Sequence, residues 1–226
     1  DSLLKARRFL PLFVTILLGA ANDNVFKNAL LILILFTLGR EVPMEEAVLV
    51  TLASGIFILP FFIFSATAGQ LADKYEKSRM IRWIKLAEVV IMGAGVAALQ
   101  FGDVYWLLTV LFFMGVQSSF FGPLKYSILP TLLRKNELIG GNAFVEAGTF
   151  LAILVGTIVG GLTAGWENGV NIVAAIVFGL AVIGWICSYG IPQAAAPQPE
   201  LRISYHIVTQ TYLIIRRIRA DRLVYR

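Results

Sequence analysis

The 226-residue sequence has one cysteine and one histidine. Cys187 sits in an apolar run, so this chain cannot by itself form a disulfide or a thiolate–metal site. His206 is equally solitary, which removes zinc sites built from His and Cys. No nucleophile–base spacing, glycine-rich phosphate loop or metal-ligand spacing occurs, so neither an enzyme nor a cofactor is expected. Charge is also scarce. Asp, Glu, Lys and Arg make up 15% of the chain, against about 25% in soluble domains. Apolar residues reach 58% and mean hydropathy is +0.80. That balance describes an integral membrane protein. The net charge of +5 then reports membrane topology rather than affinity for nucleic acid.

Six apolar runs are long enough to cross a bilayer: 9–38, 47–71, 81–101, 104–133, 138–164 and 171–191. Pro60 is expected to kink the second run, and Gly122-Pro123 and Pro130 to interrupt the fourth. Lys5-Ala6-Arg7-Arg8 resembles the basic start of a signal peptide, but the following run is too long and reads as a retained helix. The predicted fold class is an all-α membrane protein, with a six-helix transmembrane bundle over residues 1–191. Residues 192–226 form a second segment. It begins as a Pro- and Ala-rich linker, poor in packing residues, and continues as a basic amphipathic stretch suited to the cytoplasmic membrane surface.

Basic residues set the expected orientation. The N-terminal segment, the second-to-third connection (Lys74, Lys77, Arg79, Arg82, Lys85), the fourth-to-fifth connection and the tail hold 16 of the 19 Lys and Arg. The opposite connections hold only Arg40, so both termini are expected in the cytoplasm. Lys27 and Lys125 are left inside the membrane.

Intramembrane polar residues are costly and mark pathways. The first run carries Ala20-Ala21-Asn22-Asp23-Asn24-Val25-Phe26-Lys27 at its centre. Asp23 and Lys27 share a helix face and can partly neutralise each other, and Asn24 and Asn28 repeat the spacing. Lys125 lies nine residues before Arg134 and Glu146 nine after Glu137, which puts both at a similar depth of about 13 Å. They can pair, or Lys125 can hold an anionic substrate group. Glu88, three residues past Lys85, reads as a structural residue near the interface. Gln117, Ser118 and Ser119 either line a cavity or join helices. Gly156/Gly160 and Gly161/Gly165 are small-residue pairs that allow close helix approach.

Gly69-Gln70-Leu71-Ala72-Asp73-Lys74, trailed by Lys77 and Arg79, resembles the signature loop between the second and third helices of the major facilitator superfamily. Gly69, Asp73, Lys74 and Arg79 are accordingly expected to serve structure and gating, with Asp73 capping a helix or pairing with a basic residue. Asn22-Asp23-Asn24, this loop, Gly122-Pro123-Leu124-Lys125-Tyr126-Ser127-Ile128-Leu129 and Asn142-Ala143-Phe144-Val145-Glu146-Ala147 occur in that order. Together they resemble the bacterial lysophospholipid transporters, a branch of the superfamily. The resemblance implies a secondary transporter that flips lysophospholipids, chiefly lysophosphatidylethanolamine, inward across the inner membrane of a Gram-negative bacterium for re-acylation. It points to Asp23, Asn24, Lys125, Tyr126 and Glu146 as substrate-binding residues, and Lys27 joins them by position alone. The implied partners are lysophospholipid, membrane lipids and a second, C-terminal six-helix half. Asn22 and Lys27 look closer to members fused to an acyltransferase and acyl-ACP synthetase. Competing expectations are a small-solute or drug exporter of the same superfamily and a non-transporting anchor for an acyltransferase. A lipid carrier needs an apolar wall and lateral opening beside a polar pocket, whereas a drug exporter needs a closed central cavity.

Overall fold

All six apolar runs are helical, and the described residues, 3–201 of this computed structural model, contain no strand. The helices are α1 (Leu10–Phe36), α2 (Glu46–Lys74), α3 (Lys77–Phe101), α4 (Val104–Ser127), the short α5 (Leu129–Leu132), α6 (Leu138–Ala164) and α7 (Gly169–Ser188). α5 continues the span of α4, so six segments are long and apolar enough to cross a membrane. The basic stretch expected near the C-terminus lies, from residue 202 on, outside the described residues.

Helix ends follow local chemistry. α2 runs through Asp73 and Lys74, and α3 begins at Lys77, so the charged connection shrinks to Tyr75 and Glu76. The reason is a cap. Glu76 accepts hydrogen bonds from the N–H groups of Ser78 at 3.0 Å and Arg79 at 2.7 Å, satisfying donors that a helix start leaves open. The capping role expected of Asp73 thus belongs to Glu76. At its other end α3 stops on Gly102, whose φ of 70° is left-handed. α2 stays helical through Pro60, which is buried against Gly115 of α4. α4 likewise continues through Gly122-Pro123, where an interruption was expected; the break comes later, at Ile128 before Pro130.

α1 is the inner helix and packs along α6 and α7, while α2 lies along α4, and α3 along α4 and α7. The α1–α6 contact is backbone on backbone. A Cβ on Gly156 would come within 2.6 Å of Ala21 O, and one on Gly160 would press on Val25 O. Gly161 faces open space, so only the first small-residue pair serves this crossing. Gly160→Leu is expected to destabilise the bundle by at least about 1–3 kcal/mol through overpacking. Gly161→Leu should leave the melting temperature of the detergent-purified protein near wild type, and matched melting of the two variants would contradict the crossing.

The chain after α7 is bound more closely than its composition suggests. Ile191 and Ala194 are buried. The Lys77 N–H donates to Ala194 O at 3.1 Å, the Ala194 N–H to Glu76 Oε1 at 2.8 Å, and the Gln198 N–H to Asp73 O at 2.9 Å. A strap thus lies along the α2–α3 turn. Burial pushes the Glu76 carboxyl up, but the hydrogen bonds from Ala194, Ser78 and Arg79 outweigh it and hold it below its ordinary value of 4.5. A lowered carboxylate supports the folded contact above that ordinary value and loses it as pH falls through the lowered one. Glu76→Ala is expected to speed hydrogen exchange at the Ala194 amide at neutral pH, and acid should lower that amide's protection factor, the ratio of intrinsic to observed rate, in wild type. Equal exchange in both proteins at neutral pH would show that the strap does not depend on Glu76.

Two apolar clusters fill the bundle. One is built around Phe26, Leu30, Met92, Leu107 and Val177, the other around Phe9, Leu12, Ile81, Leu124 and Val145. The polar residues of α1, α3 and α4 form a layer between them.

Candidate substrate cavity

That polar layer lines a cavity of about 310 Å³. α1 contributes Asp23, Asn24 and Lys27, α3 Lys85 and Glu88, and α4 Gln117, Ser118 and Lys125. Phe57 and Phe61 of α2 and Thr149 and Ile153 of α6 complete the wall.

Lys85 and Glu88 form the centre. Their ion pair measures 2.5 Å, with side chains 0% and 3% exposed. Asn22 Nδ2 donates to Glu88 Oε1 and Gln117 Nε2 to Glu88 Oε2, each at 3.0 Å. The pair therefore ties α1, α3 and α4 together. Gly19 makes room for it, because a Cβ there would stand 2.6 Å from Lys85 Nζ. This corrects two expectations. Glu88 is not near the interface, and Lys85 does not belong to the basic connection, since α3 starts at Lys77 and carries Lys85 about 12 Å inward. The signal was present in the sequence: Ile81, Lys85, Glu88, Met92 and Gly95 follow helical spacing and form the buried stripe of α3.

The other expected pairs, Asp23–Lys27 and Lys125–Glu146, interact through their charges but do not approach within 4 Å. Among the described residues, ion pairs within 4 Å are Lys85–Glu88 and Arg8–Glu137. Asp23 Oδ2 instead shares a hydrogen bond with Ser118 Oγ at 2.5 Å, while Lys27 Nζ lies over the Phe57 ring, 5.4 Å from its centroid. Tyr126 donates its hydroxyl to Glu146 Oε1, and Lys125 Nζ sits 4.7 Å from the Tyr126 ring centroid. Lys125 reaches the cavity, whereas Tyr126 and Glu146 stand beside it and outside its lining. Asn24 bonds back to Ala20 O at 2.8 Å. Aromatic faces attract these two ammonium groups weakly, so each keeps hydrogen-bond donors for an anion.

Position along the helices orders the charges. Lys27 is one turn beyond Asp23, about 6 Å along α1, and Lys125 is seven residues beyond Ser118, about 10 Å along α4. The two helices run antiparallel, so the lysines lie to opposite sides of Asp23. The signature-loop residues are elsewhere. Gly69 faces open space, Lys74 lies over Tyr75, and Arg79 lines a groove at the end of α2 and α3. An apolar groove of about 550 Å³, with Trp83, Ala87 and Val90 of α3 and Phe113 and Phe120 of α4, shares Gln117 with the polar cavity.

Six spans around an intramembrane polar cavity are the architecture of a multi-pass membrane transporter, and the chain belongs to the major facilitator superfamily, whose profile matches residues 12–225. The fold is that superfamily's N-terminal six-helix bundle. Among curated proteins the chain is similar to the lysophospholipid transporter LplT of Escherichia coli O1:K1 / APEC, of Escherichia coli O45:K1 (strain S88 / ExPEC) and of Escherichia coli O81 (strain ED1a). Each is 31% identical over 159 residues, which is 70% of this chain and 38% of the relative. The matched stretch thus spans less than half the length of these relatives.

Proposed function

We propose that this chain is the N-terminal half of a secondary transporter that flips lysophospholipids, chiefly lysophosphatidylethanolamine, inward across the bacterial inner membrane, with both termini cytoplasmic. One observation carries the reading: among the described residues, Lys27 and Lys125 line an intramembrane cavity without a carboxylate partner within 4 Å, and an apolar groove shares Gln117 with that cavity. A ligand with an anionic headgroup and an acyl chain suits both surfaces. The open groove favours a lipid over the drug-exporter alternative, which calls for a closed cavity.

The roles follow from chemistry. Lys125 is a compact point charge that holds the phosphate, and Lys27 offers a second station for it. Asp23, with Asn24 beside it, receives the ethanolamine ammonium through charge-assisted hydrogen bonds. Tyr126 and Glu146 set the surroundings of Lys125. Gly69, Asp73, Lys74 and Arg79 serve the gate at the α2–α3 turn. A second six-helix half closes the site, and rocking of the two halves around it alternates access. An acyltransferase and acyl-ACP synthetase, fused or associated, re-acylate the delivered lipid. The test is uptake of labelled lysophosphatidylethanolamine by spheroplasts expressing the chain together with its C-terminal half. Uptake well above vector control is expected; uptake at the vector level, with both halves in the membrane, would overturn the proposal.

A further inference from the structure

Ser118 has one hydroxyl hydrogen and two acceptors within reach. Its Oγ lies 2.5 Å from Asp23 Oδ2 and 3.0 Å from Gln117 Oε1. A serine hydroxyl donates one hydrogen bond but can also accept. Gln117 cannot relieve the conflict by turning its amide. Its Nε2 donates to Glu88 Oε2 at 3.0 Å, and a turned amide would set Oε1 against that carboxylate. Glu88 is held as an acceptor by Lys85 at 2.5 Å and Asn22 at 3.0 Å. The amide direction is therefore fixed, and the Oε1 of a residue only 7% exposed needs a donor. If Asp23 is ionised, the Ser118 hydrogen goes to the carboxylate and Gln117 Oε1 is left without a donor from the protein. If Asp23 Oδ2 carries a proton, Ser118 and Gln117 Oε1 each have a donor, and of the network's buried atoms only Asn22 Oδ1 stays without a partner. The carboxyl donates to Ser118, Ser118 donates to Gln117, and Gln117 donates to Glu88.

We propose that Asp23 binds a proton in the unloaded cavity and releases it when the ammonium of a lysophospholipid headgroup takes its place. The exchange balances: the carboxyl O–H bond breaks, the proton passes to cavity water, and the carboxylate takes up the incoming ammonium. No electrons move. Among the described residues, the charged groups facing Asp23 are Lys27 on α1, Lys85 and Glu88 on α3 and Lys125 on α4. α2 presents Phe57 and Phe61 there, α6 presents Thr149 and Ile153, and α7 contains no charged residue. Lys85 is engaged by Glu88, so Lys27 and Lys125 remain to compensate the carboxylate once the proton leaves. Proton and ammonium compete for one carboxylate, and the phosphate answers the lysines. A lysophospholipid whose headgroup carries no cation displaces no proton.

This inference rests on the lipid-transport reading, and its test separates the two. Infrared spectra of the purified two-half protein at neutral pH are expected to contain the carbonyl stretch of a protonated carboxyl. Asp23→Asn should remove the band, and Ser118→Ala should shift it by removing its acceptor. If Asp23→Asn does not accumulate, the Ser118→Ala shift makes the assignment. Adding lysophosphatidylethanolamine should bleach the band and release a proton per bound lipid to a pH indicator, while lysophosphatidylglycerol should bind without either change. A spectrum without the band, or a band untouched by bound lysophosphatidylethanolamine, would overturn the proton role. A band that persists because neither lipid binds would overturn the transport reading instead.

Discussion

Lys85→Ala and Glu88→Ala are each expected to abolish accumulation of folded protein, whereas the double variant Lys85→Met/Glu88→Leu regains a substantial part of it. The ion pair is fully buried among α1, α3 and α4. Removing one partner leaves an uncompensated charge in a low-dielectric interior, at a cost of about 3–5 kcal/mol. Removing both deletes the desolvation penalty together with the attraction, which is often neutral. Recovery stays incomplete here, because Asn22 Nδ2 and Gln117 Nε2 both donate to Glu88 and lose their acceptor. Exchanging the charges, Lys85→Glu with Glu88→Lys, should fail for the same reason: two fixed donors would face an ammonium. The yield of monodisperse protein in detergent and its melting temperature read out all four variants. A double variant no better than the worse single would contradict the coupling of the pair.

Lys125→Ala should leave the protein folded and in the membrane while lowering lysophosphatidylethanolamine uptake by about 10- to 100-fold, the value of a hydrogen bond to a charged group. The contrast with Lys85 comes from partners. Among the described residues Lys125 makes no ion pair within 4 Å, and Glu146 keeps its bond from Tyr126 when Lys125 is gone. No carboxylate is orphaned, so stability is spared. Lys125→Arg should retain part of the uptake, since a guanidinium also binds phosphate. Near-normal uptake by Lys125→Ala at matched expression would remove Lys125 from the phosphate site.

The spans were legible because apolar length alone specifies them, and all six appear where the runs lie. The end of α2 and the start of α3 were not, because a charged stretch reads as a loop until Glu76 is seen to cap it. Asp23, Lys27 and Lys125 were legible as intramembrane charges from their depth. Their partners were not, because helical spacing shows which side chains share a face but not which ones a neighbouring helix claims. Ser118 took Asp23 and Tyr126 took Glu146. Lys85 and Glu88 were misplaced because distance along the chain from a basic cluster stood in for depth, although the buried stripe from Ile81 to Gly95 contained them. The strap was hidden for a different reason. Ala194 and Gln198 use backbone groups to reach Glu76 and Asp73, and composition carries no trace of that.

The headgroup is assigned to the space between α1 and α4, and a headgroup-photoreactive lysophosphatidylethanolamine tests that assignment most directly. Irradiated with the purified two-half protein, it should label peptides covering residues 20–27 and 117–125, with labelling strongly reduced in Lys125→Ala. Label confined to the outer face of α3 at Trp83 and Val90, unchanged by Lys125→Ala, would contradict a headgroup site in the cavity.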